Sequence, residues 1–235
     1  MARLNNLNSK RVKKIKFQAI LFDLDGTLLD TLADLANATN AALKRLGFQT
    51  YQPNDYRYLV GDGIYRLAER ILPKEHLDDE TLNKCVTAIK QEYGKCWAEN
   101  TKPYPGITEL LSELEKIGIP KAILSNKLDD FTKVMVKKLL PGFSFNIVRG
   151  AQRSTPNKPD PAAALQIANE LQIPPERFIY LGDTNTDMRT ANSAGMFAAG
   201  ALWGFRSAEE LLANGAKVLV KTPQEVLTLL TGEPG

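Results

Sequence analysis

The sequence is poor in the residue types that often carry catalysis or redox chemistry. Among its 235 residues are two cysteines, Cys85 and Cys96, and one histidine, His76. The two thiols lie in one helical pattern about 16 Å apart, which is too far for a disulfide within an intact helix. We therefore expect reduced thiols, as in a cytoplasmic protein, and a site built without thiolate or imidazole clusters.

Charge and hydropathy exclude further classes of protein. The net charge of +3 is too small to indicate a nucleic-acid partner. No apolar run is long enough to span a membrane, and no secretory cleavage pattern is present. We expect a cytoplasmic monomer or homodimer that binds neither nucleic acid nor membrane. Residues 1–16 carry six basic and no acidic side chains, which favours a solvated tail over a transit peptide or an anionic-surface contact.

Short apolar runs alternate with amphipathic stretches of helical length along most of the chain. This alternation predicts βαβ units and a parallel sheet, that is, a Rossmann-like α/β core. The predicted strands are 18–22, 121–124, 144–148, 178–181, 197–202 and 217–220, and the predicted helices between them include 107–117, 129–140, 161–171 and 187–194.

Residues 30–102 break this alternation, and we call them the helical insert. Apolar residues recur there at helical spacing over 32–46, 64–72 and 81–98, with no convincing strand. The insert divides a predicted core of residues 17–29 and 103–235, with Pro103 and Pro105 as a plausible hinge. Because both ends of the insert leave the carboxyl edge of the first strand, where ligands of parallel sheets bind, it is a candidate lid.

Two aspartates end the first predicted strand, in the run FQAILFDLDGT at residues 17–27. Carboxylates as close as Asp23 and Asp25 repel each other unless one is protonated or a cation lies between them. Gly26 permits a sharp turn there, and Thr27 can hydrogen-bond within it. Taken alone, the stretch is also consistent with helix-capping aspartates beside a turn.

A second strand end repeats the design in the run RFIYLGDTNTD at residues 177–187. Asp183 and Asp187 would face the same crevice as the first pair, although capping of the following helix explains Asp187 equally well. Oxygen ligands without histidine or thiolate favour Mg²⁺ over zinc or copper.

Two further segments carry groups that suit an anionic ligand. The strand KAILSN ends in Ser125 and Asn126, whose hydroxyl and amide can donate to phosphate oxygens. Lys158, in NKPDP, would reduce repulsion among the carboxylates and stabilise a bound anion. The alternatives are a turn-forming Ser-Asn pair and an ordinary solvated lysine.

Together the four segments resemble the motifs of the haloacid dehalogenase-like hydrolase superfamily. The matching elements are DLDGT at 23–27, the serine of LSN at 125, the lysine before proline at 158, and GDTNTD at 182–187. The helical insert resembles the helical cap of that family. The strings LVGDG (59–63), PYPG (103–106), SNK (125–127) and LWGF (202–205) are similar to phosphoglycolate phosphatase-like enzymes.

The resemblance implies a Mg²⁺-dependent phosphatase of a small phosphomonoester. Asp23 would attack phosphorus and become an aspartyl phosphate, and Asp25 would protonate the leaving oxygen and then activate water. Ser125 would hold the phosphoryl oxygens, and Lys158 would offset their charge. A phosphosugar mutase, a pyrophosphatase or a catalytically silent binding protein would use the same scaffold.

The resemblance also implies ligand and substrate contacts. Mg²⁺ would be held by Asp23, the backbone carbonyl of Asp25, and Asp183, while Asp187 would act through metal-bound waters or orient Lys158. The predicted substrate contacts are Gly26, Thr27, Asn126, Gly61, Asp62, Gly63 and Arg66, and Arg57 also flanks the loop of the insert.

Overall fold

The computed structural model describes residues 17–231, so residues 1–16, with their predicted tail, lie outside the described part. A six-stranded parallel sheet organises the core and confirms the predicted α/β fold. Its strands are β1 (Ala19–Phe22), β4 (Lys121–Leu128), β5 (Ile147–Ala151), β6 (Phe178–Gly182), β7 (Phe197–Ala201) and β8 (Val218–Val220), in the order β5-β4-β1-β6-β7-β8.

One strand begins later in the chain than the sequence predicts. Residues 144–148 were expected to form a strand, but β5 begins at Ile147. The preceding Asn146 closes a local pair with Lys121, since its N–H donates to the Lys121 carbonyl at 2.8 Å and its side-chain oxygen accepts from the Lys121 N–H at 3.0 Å. The ladder with β4 therefore starts only after this pair.

Helices cover both faces of the sheet and bury two apolar clusters. All four residues of β1 are buried, which explains why its sequence reads as an unbroken apolar run. The core helices are α5 (Ile107–Lys116), α6 (Asp129–Leu139), α7 (Ala162–Glu170), α8 (Asn185–Ser193), α9 (Ala208–Ala213) and α10 (Glu225–Thr231), of which α9 and α10 had not been predicted.

The strand order sets the position of the site. Numbered by their appearance in the chain, the six core strands read 3-2-1-4-5-6, which is the doubly wound order. The order reverses between β1 and β6, and a crevice opens at the carboxyl ends of strands that flank such a switch point. The predicted acids follow these two strands.

The helical insert is joined to the core through a two-stranded ladder. The strands β2 (Leu29–Asp30) and β3 (Lys102–Pro103) pair in antiparallel fashion at its base. Its helices pack around an apolar cluster of their own. They are α1 (Leu32–Leu46), α2 (Tyr56–Leu59), α3 (Ile64–Ile71) and α4 (Asp79–Cys96).

A buried carboxylate holds the start and the end of the insert together. Asp34, fully buried in α1, accepts hydrogen bonds from Asn100 and Thr101, including the Thr101 N–H at 2.8 Å and its hydroxyl at 2.7 Å. Burial by itself would raise the pKa of Asp34, but these hydrogen bonds lower it below its usual range.

Within residues 17–231, no helix combines the length and apolar content needed to cross a bilayer. Both cysteines lie in α4 as free thiols.

Candidate active site

The polar side chains of the three central strands lie at one edge of the sheet. Ser125 and Asn126 belong to the last part of β4, while Asp23 follows β1 and Asp183 follows β6. Because the ladder of β1 and β6 runs to Phe22 and Leu181, at or next to the end of each strand, the segments that follow leave the sheet side by side. The N–H of Asp23 donates to the Leu181 carbonyl at 2.9 Å and extends this pairing.

Three buried carboxylates form the centre of this edge. Asp23, Asp183 and Asp187 each present one oxygen, and these oxygens lie within 4.8 Å of one another. The residues are 6%, 0% and 0% exposed, respectively. Carboxylates this close and this dry require compensating positive charge or protonation.

Lys158 supplies part of that charge. Its Nζ lies 2.8 Å from Asp23 Oδ1 and 2.7 Å from Asp187 Oδ1. The Asn126 side chain holds the Lys158 backbone at both ends, because its Oδ1 accepts from the Lys158 N–H at 2.9 Å and its Nδ2 donates to the Lys158 carbonyl at 3.1 Å. Asn126 therefore aims the lysine at the acids.

Asp187 caps a helix and also contacts Lys158. Its Oδ2 accepts from the Thr184 N–H at 3.0 Å and its own N–H donates to the Thr184 hydroxyl oxygen at 3.3 Å, which together form the capping box of α8. The Thr184 hydroxyl in turn donates to Oδ2 at 2.6 Å. Asp187 Oδ1 binds Lys158, with the Tyr180 hydroxyl at 3.4 Å. Both oxygens of Asp187 are therefore engaged, one by the helix cap and the other by Lys158.

Asp183 is held by a turn on one side and a loop on the other. The Thr27 hydroxyl donates to Oδ1 at 2.6 Å, and the Phe205 N–H donates to Oδ2 at 2.8 Å. A Cβ on Gly26 would lie 2.3 Å from the carboxylate, and one on Gly204 would lie 2.2 Å from the Asp183 Cβ. Both glycines are therefore needed for close approach, and Thr27 positions an acid.

The electrostatics of the cluster follow from its burial. Burial and the charge of Asp187 raise the pKa of Asp23 well above its usual range, and Lys158 offsets only part of that rise. Burial and Asp187 also raise the pKa of Asp183 to about 7, against the hydrogen bonds from Thr27 and Phe205. Burial would lower the pKa of Lys158, but Asp187 and Asp23 raise it well above its usual range.

These residues fit a divalent cation. The three carboxylates of the cluster face one ammonium group, so full ionisation leaves an excess of negative charge in a dry crevice. A bound cation would favour the ionised acids and reverse the rise in their pKa values. The donor set consists of oxygens alone, which suits a hard cation.

Asp25 lies apart from this cluster and has a different partner. Lys127 Nζ donates to Asp25 Oδ1 at 2.7 Å and to the Tyr93 hydroxyl of the insert at 3.1 Å. Lys127 also lies 4.8 Å from the centre of the Tyr93 ring. The irregular pairing of β4 with β5 after Leu124 falls at Ser125, Asn126 and Lys127. The carboxylate of Asp25 thus contacts a lysine shared with the insert.

The loop Gly61-Asp62-Gly63 of the insert contacts the core at this edge. Asn126 Nδ2 donates to the Gly61 carbonyl at 3.3 Å, and the Thr186 hydroxyl of α8 donates to Asp62 Oδ1. A Cβ on Gly63 would lie 3.4 Å from the Asn126 carbonyl oxygen. The loop therefore lies directly over the ends of β4 and β6.

The structure does not bring Arg66 to the site. Its side chain is 66% exposed and pairs with Glu69 one turn along the same helix, at 2.6 Å. Arg57 does reach the core, but it donates to the Gly204 carbonyl at 2.8 Å. The positive charge next to Asp62 comes instead from Arg70, which donates to Asp62 Oδ2.

Sequence reasoning missed Lys127 and most of the loop 202–206. The strings SNK and LWGF cover both segments, but by themselves they assign no chemistry to Lys127 or Trp203. In the structure Trp203 Nε1 donates to the Thr27 carbonyl at 2.9 Å, and Phe205 packs into the apolar cluster of the insert. A lysine directly after the Ser-Asn pair was the available signal.

Comparison with known proteins identifies relatives of this chain. A family model described as haloacid dehalogenase-like hydrolase matches residues 20–201. The phosphoglycolate phosphatase of Aquifex aeolicus is 34% identical over 188 residues, which cover 80% of this chain and 86% of that protein. The phosphoglycolate phosphatase of Chromobacterium violaceum is 30% identical over 227 residues, covering 95% and 99%.

Solved structures share the whole architecture. A crystal structure from Lactobacillus delbrueckii subsp. bulgaricus, provisionally named a phosphoglycolate phosphatase, superposes with a TM-score of 0.87 at 29% identity, covering 93% of this chain and 100% of that one. CbbY from Rhodobacter sphaeroides, crystallised in complex with phosphate, gives 0.77 at 25% identity, covering 91% and 99%.

Proposed function

Because the chain belongs to the haloacid dehalogenase-like hydrolase family, as a phosphoric monoester hydrolase, we propose that it is a Mg²⁺-dependent phosphatase of a small, phosphoglycolate-like phosphomonoester. The observation that carries this proposal is the convergence of Asp23, Asp183 and Asp187 around Lys158 at the sheet edge. The names of the relatives support the substrate, and the two free thiols are compatible with a cytoplasmic enzyme.

Asp23 is the proposed nucleophile. Its Oδ1 is held by the Leu24 N–H at 2.7 Å and by Lys158 at 2.8 Å. This leaves Oδ2 to attack phosphorus, so that a P–O bond forms to Asp23 while the bond to the leaving oxygen breaks. An aspartyl phosphate results. Water then attacks its phosphorus and releases inorganic phosphate and the free carboxylate.

Asp25 is the proposed acid and base. It would give its proton to the leaving oxygen in the first step and take one from the attacking water in the second. Its side chain is 18% exposed, against 8% for Asp23, so it is the more open of the two carboxylates. Lys127 holds one of its oxygens at 2.7 Å and restricts its orientation.

Charge neutralisation is the other proposed contribution to the rate. Lys158 would offset the charge of the transferring group, and the Ser125 hydroxyl, in a residue only 3% exposed, would donate to its oxygens. Mg²⁺ held by Asp23, Asp183 and the Asp25 carbonyl would supply Lewis-acid stabilisation of the phosphoryl oxygens.

We also propose that residues 30–102 form a separate cap domain that closes over the site. Its loop already contacts Asn126 and Thr186 through Gly61 and Asp62. The two-residue ladder of β2 and β3 at its base is short enough to serve as a hinge. Closure would exclude bulk water from the aspartyl phosphate.

Hydrolysis of p-nitrophenyl phosphate with and without Mg²⁺ tests the proposal. We expect Mg²⁺-dependent release of phosphate that Asp23→Asn abolishes and that the exposed control Asp130→Asn leaves within twofold. Burst kinetics or inhibition by beryllium fluoride would report the aspartyl phosphate. Activity retained in Asp23→Asn would refute the mechanism, and transfer of the phosphoryl group to an added sugar phosphate in preference to water would identify a mutase instead.

A further inference from the structure

A buried arginine at the junction of core and insert has one nitrogen without a partner. Arg206 is 7% exposed and follows the loop that holds Asp183. Its Nη2 donates to the Val60 carbonyl at 2.8 Å, and its Nε lies 3.2 Å from Glu210. Its Nη1 is buried and has no hydrogen-bond partner, and within residues 17–231 it is the only buried side-chain nitrogen of which this is true.

A buried, charged nitrogen of this kind is more stable when a hydrogen-bond acceptor contacts it. Leaving a buried donor unsatisfied costs the desolvation of that group, and the cost is greater for a charged group. The other arginines near the site have their partners: Arg57 the Gly204 carbonyl, Arg66 Glu69, and Arg70 Asp62 and the Leu59 carbonyl. Arg206 is therefore the arginine here with unused, desolvated hydrogen-bonding capacity.

The guanidinium lies against the loop of the insert that contacts the site. A Cβ on Gly61 would lie 3.6 Å from Arg206 Nη2 and 3.4 Å from Thr184 Cγ2. Thr184 follows Asp183 directly, and the Gly61 carbonyl accepts from Asn126 on the other side of the crevice. Arg206 thus lies under the loop of the insert that covers the ends of β4 and β6.

The charge of Arg206 acts on carboxylates from both sides of this junction. Burial would raise the pKa of Asp62, but hydrogen bonds from Thr186 and Arg70, with the charge of Arg206, lower it. The same charge opposes the burial that raises the pKa of Asp183. A second anion brought in by a substrate would meet this cation at the edge of the acid cluster.

We propose that Arg206 is a specificity-determining residue that binds, through Nη1, a carboxylate on the leaving group of the substrate. This inference rests on the proposed phosphatase function and adds to it the residue that selects the leaving group. Arginine suits the task because its charge is permanent and its donors match carboxylate oxygens. Ser125 and Lys158 would still bind the phosphoryl group.

A pair of substrates tests the assignment. Phosphoglycolate carries the carboxylate, and ethyl phosphate lacks it but has the same alkyl phosphate ester. We expect Arg206→Met to lower kcat/KM for phosphoglycolate by roughly 10- to 100-fold and for ethyl phosphate by less than threefold. Arg206→Lys, which keeps the charge, should recover part of the loss.

Arg57→Met is the matched control, because Arg57 also crosses the junction but donates to a backbone carbonyl. We expect it to change both substrates by the same factor. If Arg206→Met also lowers both equally, Arg206 is a latch between insert and core, and the assignment is wrong. If Arg206→Met changes the hydrolysis of neither substrate, the assignment is refuted as well.

A binding measurement separates this inference from the proposed function. In the Asp23→Asn background, calorimetric titration with phosphoglycolate in Mg²⁺ should show binding that Arg206→Met weakens by the same roughly 10- to 100-fold. If wild-type protein hydrolyses neither substrate, the proposed phosphatase fails. If it hydrolyses both but Asp23→Asn binds phosphoglycolate equally well with and without Arg206, only the role of Arg206 fails.

Discussion

The core and the helical insert contribute to the site in different ways. In the core, buried strands deliver Asp23 and Asp183 to one point, and Lys158 is held there by two ion pairs of 2.8 and 2.7 Å. The insert contributes single hydrogen bonds over that point, such as Asn126 to the Gly61 carbonyl at 3.3 Å. The core therefore holds the acid cluster by short, buried ion pairs, while the insert adds individual hydrogen bonds above it.

One apolar contact departs from this division. Phe205, from a core loop, is 3% exposed and packs into the apolar cluster of the insert, while its own N–H holds Asp183. The orientation of Asp183 is thus mechanically linked to the packing of the insert. The comparison between the core and the proposed cap can be tested at this link and at the contacts around it.

The largest effect is expected in the core, from Lys158→Met. Removing the ammonium leaves Asp23 and Asp187 without their shared partner, so kcat should fall by about 10³-fold. The measurement is Mg²⁺-dependent hydrolysis of p-nitrophenyl phosphate. Lys121→Met is the control, since Lys121 is also buried but lies at the other end of β4 against Glu115. A loss of equal size in Lys121→Met would mean that burial of a lysine, rather than its position, matters.

The next largest effect is expected on stability, from replacing Asp34, which anchors the insert. Replacing it with asparagine turns an acceptor of several hydrogen bonds into a group with fewer acceptor sites, which should lower the free energy of unfolding by about 2 kcal/mol. Urea denaturation would measure this, with the exposed Asp79→Asn expected to cost at most about 0.5 kcal/mol.

The pH dependence of the same variant sharpens the comparison. The folded pKa of Asp34 is lowered, so its stabilisation is present above the unfolded pKa of about 3.9 and is lost as the pH falls through the folded value. Wild type and Asp34→Asn should therefore converge in stability in acid. Curves that stay parallel down to pH 2 would contradict this account.

The proposed metal site should show the opposite pH dependence. Because the folded pKa of Asp183 is raised to about 7 by burial and Asp187, its protonated form stabilises the metal-free protein. That contribution is complete below about 3.9 and is lost as the pH rises through 7. Mg²⁺ competes with this proton, so the rise in Tm on adding Mg²⁺ should be larger at pH 8 than at pH 6. A rise that is equal at both values would remove Asp183 from the site.

The smallest effect is expected at the insert, from Tyr93→Phe. The change removes one hydrogen bond from Lys127, which keeps its contact with Asp25. We expect a loss of roughly fivefold in kcat for ethyl phosphate, and less for p-nitrophenyl phosphate, whose leaving group needs little protonation. Equal losses on the two esters would show that Tyr93 does not act through Asp25.

Much of the core could be read from the chain because its signals are local. Fully buried strands give continuous apolar runs, and acids directly after them leave little doubt about which sheet edge they occupy. The predicted helices 107–117 and 129–140 were found within a residue at each end, as α5 and α6. The short α9 and α10 carried too few periodic residues to be recognised.

The partners of the site residues had no local signal. Asp25 meets Lys127 across 102 residues of sequence, and Thr27 meets Asp183 across 156. The expected roles of the site residues and the division into core and cap stay predictions, and Arg66 illustrates the difficulty. Its place beside a glycine-rich loop suggested substrate contact, yet the helix directs it to Glu69 and solvent.

By itself the sequence determined which groups stand at the ends of buried strands, because burial and turn formation depend on near neighbours in the chain. Only the tertiary structure decided which of those groups share a lysine, a hydrogen bond or a loop. The reason is that strand order and loop packing bring together residues whose spacing in sequence carries no information about their distance in space.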